Sequence, residues 1–356
     1  MINLQFKRTV LSSAIALACC GGAAQAACPG TVSTAEGACV LNGTESVTIT
    51  GTGSLTGNPS LTVNAGATGS VNNAGTIGSS QTTALFYAGN LLGSLINSGI
   101  IQSDRTDTTS AVAIDITGDL TGILDNSGLI LARVTDTDTG TAYGIYIGND
   151  LTGELTHSGT IRALVTSSNT SSGYAYGIYI GNDLSGSLTN SGQITARASG
   201  SDDSYTAYGI YVGNDLSGTL SNTGQINATA LITSDSSDAQ AYGIYIGNDL
   251  SGMLDNSGTI SVRAAITTDT ETDALAAGVY VNSSLAGTLH NSGMIMAQAS
   301  NGTSTDDAYG IYIRTNLSGT LDNSGTITAL AFKSTTDSGD ANARGIHIGN
   351  DLGGTL

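Results

Sequence analysis

The chain has 356 residues, among them 49 glycines, two prolines and no tryptophan, and its formal net charge is −18 at pH 7. So strong a negative charge excludes a phosphate-binding surface, and with it nucleic-acid binding, as a main function. The glycine content and the lack of tryptophan disfavour a conventional enzyme core. With so few prolines a proline-rich linker is also disfavoured, and tight turns at regular intervals are what this composition favours.

Residues 1–26 are predicted to be a secretory signal peptide. A basic pair, Lys7 and Arg8, precedes the apolar run 10–18, and a small-x-small pattern for signal peptidase ends at Ala26. The apolar run is too short to span a bilayer as a folded anchor, and no later run approaches that length. We therefore expect an exported mature chain that begins at Ala27. Its net charge would be about −20, because the signal removes two cations and no acid.

The cysteines divide between the signal and the mature chain. A lipoprotein cut before Cys19 is the alternative to cleavage after Ala26. Once the signal is removed, Cys28 and Cys39 remain, and in an oxidising compartment we expect them to form a disulfide. Such a short loop would pin the N-terminal end of a stack that no preceding neighbour covers. The alternative is a pair of free buried thiols.

Nine related segments recur from Ala84 onward. The segment Gly144-Ile-Tyr-Ile-Gly-Asn-Asp-Leu151 returns almost unchanged at Gly177, Gly209, Gly243 and Gly345, and degenerate copies begin at Ala84, Ala113, Gly278 and Gly310. Their spacing of 29 to 35 residues indicates a stacked array. Length varies only in the polar segments before each copy, such as 199–206, so these are predicted to be loops on one side of the stack. We assign 27–83 to an N-terminal cap with the first irregular coils and 84–356 to the repeat solenoid.

Apolar columns run through the copies and indicate strands. Leu151, Leu155 and Ile161 have an equivalent Leu or Ile in each complete copy. The apolar spacing is period two in short runs separated by glycine turns, which is strand geometry. Identical copies stacked about 4.8 Å apart would pair each strand with its neighbours above and below. The sequence therefore predicts an all-β, single-stranded parallel β-helix (β-solenoid) of about nine repeats, right-handed and with three strands per turn. Two smaller coils per repeat is the alternative.

A recurring Asn-Ser-Gly turn predicts a ladder of asparagine side chains. In a parallel stack each amide can donate to the same residue one turn away, which satisfies polar groups at a sharp corner. His157 replaces the asparagine in one copy. The predicted ladder consists of Asn97, Asn126, Asn190, Asn222, Asn256, Asn291 and Asn323.

Tyrosines form two further columns. The first lies between two aliphatic residues of its strand, so its rings are predicted to point outward and stack: Tyr146, Tyr179, Tyr211, Tyr245, Tyr280 and Tyr312. This outer stripe is either cross-strand packing that protects one face or a contact surface for carbohydrate or protein. The second column shares parity with the core and is predicted to wedge into the mouth of the strand: Tyr143, Tyr176, Tyr208, Tyr242 and Tyr309.

No catalytic, metal or cofactor site is predicted. Gly-Asn-Asp-Leu-x-Gly matches calcium-binding nonapeptide repeats poorly, because the Asp column changes to Ser284 and Asn316 where a metal site would need the charge. The alternative function is a carbohydrate-active enzyme on a β-helix, similar to a polysaccharide lyase. A catalytic site should break the repeat in one place, whereas each of the three histidines replaces a repeat position and marks no partner for a catalytic triad.

The signal, the Cys28 and Cys39 pair, and the recurrent Leu-x-Asn-Ser-Gly-x-Ile and Gly-Ile-Tyr-Ile segments resemble the passenger regions of bacterial autotransporters, which use type V secretion. The resemblance covers the mature chain from Ala27 to Leu356. It implies export through a C-terminal outer-membrane β-barrel and a β-helix displayed on a Gram-negative cell or released from it. It also implies a non-enzymatic role as an adhesin or stalk, whose partner would be a glycan or protein on a host or neighbouring cell.

The C-terminal end departs from the family pattern. The family's barrel strands of about ten residues do not follow, and the chain stops mid-repeat at Leu356. We therefore expect a truncated fragment of a longer protein, which would touch a membrane only through the missing barrel. An apolar open end would favour self-association. A passive spacer for a missing domain is a further alternative.

Overall fold

The computed structural model of the protein describes residues 25–106, 110–135, 139–167, 172–201, 203–233, 237–267, 272–300, 305–333 and 339–356. Most of the predicted signal lies outside these residues, so its cleavage stays a prediction. The described strands form three parallel sheets of twelve, eleven and eleven strands. Successive strands visit the three sheets in turn, so three strands make one coil. These features confirm the predicted all-β parallel solenoid with three strands per turn, and the hand of the coil stays a prediction.

The strand bounds follow the three sheets. The first sheet contains Ala26–Ala27, Cys39–Leu41, Leu61–Val63, Thr83–Tyr87, Ser110–Ile116, Gly140–Ile147, Gly173–Ile180, Tyr205–Val212, Ala239–Ile246, Asp273–Val281, Thr305–Ile313 and Asp340–Ile348. The second contains Thr31–Val32, Val47–Ile49, Val71–Asn73, Ser94–Asn97, Ile123–Asn126, Glu154–His157, Ser187–Asn190, Thr219–Asn222, Met253–Asn256, Thr288–Asn291 and Thr320–Asn323. The third contains Ala35–Glu36, Ser54–Thr56, Thr76–Ser79, Ile100–Arg105, Leu129–Thr135, Thr160–Ser167, Gln193–Gly200, Gln225–Ile232, Thr259–Ile266, Met294–Ser300 and Thr326–Phe332.

The stack has more coils than the nine repeats. Region 27–83, expected to hold a cap and irregular coils, contributes three short coils to the same three sheets. Cys39 pairs with Leu61 and Leu61 with Leu85, offsets of only 22 and 24 residues. Because these coils are shorter than the later ones, comparison at a period of 29 to 35 residues does not detect them.

Equivalent residues lie above one another along the whole stack. Leu91, Leu120 and Leu151 pair in parallel from coil to coil, and each is fully buried. The Ile column of the third sheet, which includes Ile161 and Ile194, is buried in the same way. One continuous hydrophobic core therefore fills the solenoid, and each coil buries its narrow apolar edge against the next.

A disulfide joins Cys28 to Cys39, with 4.8 Å between their Cα atoms. Cys39 begins a strand that pairs with the first strand of the stack, where Ala26 is its partner. The backbone N–H of Cys28 also donates to the carbonyl of Val40 at 3.0 Å. The bridge therefore attaches the first coil covalently to the second.

Candidate functional site: a double tyrosine column

The first tyrosine column lies on the outside of the first sheet. Tyr146 stands between Ile145 and Ile147, which are fully buried, so its ring points away from the core. Its ring is stacked on that of Tyr179, with 5.1 Å between centroids and 5° between planes. The same stacking, at 4.7 to 5.2 Å, continues along the column through Tyr211, Tyr245, Tyr280 and Tyr312.

The second tyrosine column also lies on the outside, so the prediction that it wedges into the mouth of the strand is wrong. Tyr143, Tyr176 and Tyr208 stack on one another at 4.9 Å. Each also meets the first column edge to face, as Tyr143 meets Tyr146 at 5.1 Å and 76°. Farther along, Tyr242, Ala277 and Tyr309 belong to an outer apolar cluster separate from the main core. The sheet therefore carries an outer band two rings wide, which we call the tyrosine band.

A glycine inside each strand explains the error. Ala142 and Ile145 are both buried, so the strand does not alternate regularly between them. A Cβ on Gly144 would lie 2.6 Å from both Cγ2 of Ile161 and the carbonyl oxygen of Gly177, so only glycine fits at this position. Gly144 and Ile145 therefore both face the core, as two neighbouring residues do in a β-bulge. Residues before Gly144 consequently face the side opposite to the one that strict alternation predicts. A glycine recurring within a strand was the sequence signal for this shift.

The stacking decides what the tyrosine band can offer a ligand. A sugar stacks on a free aromatic face, but from Tyr143 to Tyr242 and from Tyr146 to Tyr312 each ring is stacked on the ring of the next coil. In the second column Ala277 separates Tyr242 from Tyr309, and these two rings are only 6% exposed. The exposed parts are ring edges and hydroxyl groups. Burial raises the pKa of Tyr179 and Tyr245 to about 12, so their hydroxyl groups stay protonated at neutral pH. This geometry favours the packing interpretation for the interior of the band.

The two ends of the band differ in charge. At the C-terminal end, His347 stacks on Tyr312 with 4.9 Å between centroids. Arg344 lies 5.7 Å from the ring centroid of Tyr309 and donates to its hydroxyl at 3.3 Å. At the N-terminal end, Asp115 occupies the place of a tyrosine.

Asp115 is the residue that the sequence analysis missed. Its strand register places it between Phe86 and Tyr146, so it is the one acid in an otherwise aromatic column of the described residues. It is only 9% exposed, and its Oδ1 atom is buried without a hydrogen-bond partner in the described part of the chain. Burial raises the pKa of its carboxyl to about 7. The signal that could have revealed it is the break in the Tyr column, which is the kind of single departure that a functional site makes.

The asparagine ladder runs inside the corner of the second sheet. Asn190, Asn222 and Asn256 are fully buried, and each Nδ2 donates to the Oδ1 of the next asparagine at 2.6 Å. The same bond links Asn73 to Asn97 and Asn97 to Asn126, and it continues to Asn291 and Asn323. The ladder therefore extends one coil before the predicted set, to Asn73.

His157 interrupts this ladder. Its Nδ1 accepts from Nδ2 of Asn126 at 2.9 Å, so its Nε2 carries the proton and donates to the carbonyl of Gln193 at 3.2 Å. That arrangement leaves the buried Oδ1 of Asn190 without a donor. Burial lowers the pKa of His157, while its bond to the Gln193 carbonyl acts in the opposite direction.

The aspartates of the Gly-Asn-Asp-Leu turn cap backbone amides. Oδ1 of Asp150 accepts from the backbone N–H of Asp183 at 3.1 Å, and Asp183 accepts in the same way from Asp215 at 3.0 Å. Ser284 donates likewise to Asp249 at 2.9 Å. Over the described ranges, no group of three or more His, Cys, Asp or Glu residues is placed to hold a metal ion.

An open groove of about 830 Å³ follows the Asn-Ser-Gly corner from Gly159 to Thr326. Its floor consists of glycines, because a Cβ on Gly192 would lie 2.3 Å from the carbonyl oxygen of Gly159. Neutral side chains, including those of Gln193 and Gln225, line the rest. We call this feature the corner groove.

Comparison with known proteins adds no relative. No family model, curated protein or solved structure matches this chain. Among the described residues, none belongs to a helix of the length and hydrophobicity that a membrane span would need.

Proposed function

We propose that this chain is the exported passenger of an autotransporter and works as a non-enzymatic stalk. The observation that carries the proposal is the uninterrupted stack, in which strands pair with their sequence equivalents in all three sheets. Twelve strands at about 4.8 Å per step give a rod about 50 Å long. A stack of this kind gains length by adding coils without changing its cross-section.

Two features support export. A disulfide between Cys28 and Cys39 suits an oxidising compartment outside the cytoplasm. The N-terminal sequence supplies the basic and apolar segments of a signal peptide. The acidic surface suits a soluble, extended rod, because like charges keep neighbouring rods apart.

Export is tested by displaying the chain in a Gram-negative host. The full chain, with residues 1–26, is fused to the C-terminal translocator of a known autotransporter, and intact cells are treated with an external protease. We expect surface cleavage and a disulfide between Cys28 and Cys39, whereas a matched fusion without residues 1–26 stays inside the cell. Cytoplasmic retention of the full fusion with both thiols free would contradict the proposal.

The stalk role is tested by changing the length of the rod. Deleting residues 177–277 joins Tyr176 to Gly278 and removes three coils in register, which should shorten the rod by about 14 Å. With a biotin-acceptor tag displayed at the N-terminal end, the shortened rod should capture fewer streptavidin beads on cells that carry long surface polysaccharides. On cells without those polysaccharides, capture should be equal. Equal capture on both kinds of cell would argue against a stalk.

The corner groove supports a second candidate function, adhesion to a neutral glycan. Its neutral amides, hydroxyl groups and exposed glycine backbone can hydrogen-bond an uncharged polar polymer, while the acidic chain would repel an anionic one. Glycan-array binding tests this candidate. Gln225→Ala should weaken binding, and Thr219→Ala, on the same coil but outside the groove lining, should not. A wild-type chain that binds no neutral glycan would contradict this candidate.

A further inference from the structure

One position in the outer column of the first sheet holds a carboxyl group in place of an aromatic ring. Phe86, Asp115 and Tyr146 are partners in successive coils of the first sheet, so Asp115 occupies the position that an aromatic ring fills elsewhere in the column. Ring centroids in the intact column are 4.7 to 5.2 Å apart per coil. Phe86 and Tyr146 are two coils apart, and between them the short side chain of Asp115, only 9% exposed and covered by its neighbours, stands where the column otherwise holds a ring.

One oxygen of the Asp115 carboxyl group lacks a partner among the described residues. Oδ1 of Asp115 is buried and accepts no hydrogen bond from the described residues. Its neighbours on the outer face are the nearly buried Val112 and the aromatic side chains of Phe86, Tyr143 and Tyr146. None of these is a cation. A buried carboxylate without a donor or a counter-ion is costly, so a ligand that supplies both would relieve that cost.

A flat cation meets both requirements. A guanidinium group is planar, stacks on aromatic faces, and donates two parallel N–H bonds to a carboxylate. It is also more weakly hydrated than an ammonium group, so it enters a site with aromatic walls at lower cost. A neutral planar group would stack but would leave the carboxylate without a counter-ion. An ammonium group would supply charge but would not fill the place of a ring.

We propose that Asp115, Phe86 and Tyr146 form a binding site for a guanidinium group, which replaces the ring missing from the column. Asp115 accepts two N–H bonds at the base of the site, and Phe86 and Tyr146 form its two walls. Both wall side chains are only partly buried, so a rotamer change is enough to open the site. The guanidinium belongs either to a free small molecule or to an arginine of another protein. The proposal goes beyond the stalk or adhesin role and does not depend on it.

The experiment is a calorimetric titration of the folded chain with ethylguanidinium, ethylurea and ethylammonium. Ethylurea has a similar planar group without the charge, and ethylammonium has the charge without the plane. We expect ethylguanidinium to bind at least about tenfold more tightly than either, a difference of about 1.4 kcal/mol. If ethylguanidinium binds no more tightly than ethylurea or than ethylammonium, or does not bind, the assignment is overturned without the use of any variant.

Variants locate the site. Asp115→Asn keeps the shape of the side chain and should weaken ethylguanidinium binding at least about tenfold. Asp125→Asn removes the same charge from the outer face of the second sheet in the same coil and should leave binding unchanged. Binding that survives Asp115→Asn, or that falls equally in Asp125→Asn, would place the cation elsewhere. A blocked Gly-Arg-Gly peptide distinguishes the two sources, because tighter binding of the peptide indicates a protein partner and equal binding indicates a small molecule.

Discussion

Replacing His157 by asparagine should stabilise the solenoid and reduce its sensitivity to acid. The neighbouring coils hold asparagine at this position: Asn126 donates to His157, and Asn190 donates to Asn222 of the following coil. His157 donates instead to the carbonyl of Gln193 and leaves the buried Oδ1 of Asn190 without a donor. An asparagine at position 157 would accept from Asn126 and donate to Asn190, so the ladder would be continuous.

The size of the effect follows from the unsatisfied acceptor. A buried polar group without a partner costs about 1–3 kcal/mol. The bond from His157 to Gln193 is lost in the variant, but asparagine makes a similar contact elsewhere, as Asn190 does with the carbonyl of Gln225 at 3.5 Å. The amide is smaller than the imidazole, which leaves a small cavity and subtracts from the gain. We expect a net stabilisation of about 1–2 kcal/mol at pH 8.

The stability difference between His157→Asn and the wild type should depend on pH in a definite direction. Burial lowers the pKa of His157 in the folded chain, so the unfolded chain binds the proton more readily. The contribution of His157 to stability is therefore full above its unfolded pKa of about 6.5 and is lost as the pH falls below that value. The advantage of His157→Asn over the wild type should be larger at pH 5 than at pH 8.

Urea unfolding followed by circular dichroism at the two pH values measures both quantities. Conversion of the half-buried His290 to asparagine serves as the control, because it removes a histidine from the outer face of the same sheet and leaves the ladder intact. The reasoning would be refuted by a His157→Asn variant that is less stable than the wild type at pH 8, or by an unchanged difference between pH 8 and pH 5.

Three further substitutions test the packing. Asn222→Leu should lower the free energy of unfolding by about 2–5 kcal/mol in urea titrations, because it leaves two buried amide groups of the ladder unpaired; an unchanged value would contradict an inward ladder. Gly177→Ala should destabilise by at least about 1–3 kcal/mol, because its Cβ would lie 2.4 Å from Cγ2 of Ile194, whereas the control Gly37→Ala, with no atom within 4 Å, should be neutral. Asp115 has a raised pKa in the folded chain, so its favourable contribution is full below its unfolded pKa of about 3.9 and is lost as the pH rises toward 7. Asp115→Asn should therefore raise the melting temperature more at pH 8 than at pH 4, and an equal shift at both values would rule out a buried charge.

Much of the fold could be predicted because the repeat is nearly identical from copy to copy. When equal sequences stack in parallel, each residue pairs with its own equivalent, so the period alone sets the register of columns such as Leu151 and Asn222. The outward position of Tyr146 followed from its two buried neighbours. These predictions needed only local alternation and a constant spacing.

Other features depended on contacts that no spacing encodes. The three short coils before Thr83 share the architecture but not the period, so only strand pairing reveals them. Tyr143 lies outside because Gly144 packs against Ile161 of the third sheet, and that close approach shifts the parity of the strand. The repeat spacing places Asp115 in the Tyr column, but its burial and the lack of a hydrogen-bond donor to its Oδ1 are visible only in the packed structure. By itself, then, the sequence determined the stacking, since identical copies align without further information. The outward position of the second tyrosine column, and the identity of the polar atoms that lack a partner, were decided by tertiary packing, because both depend on atoms that meet across coils and sheets.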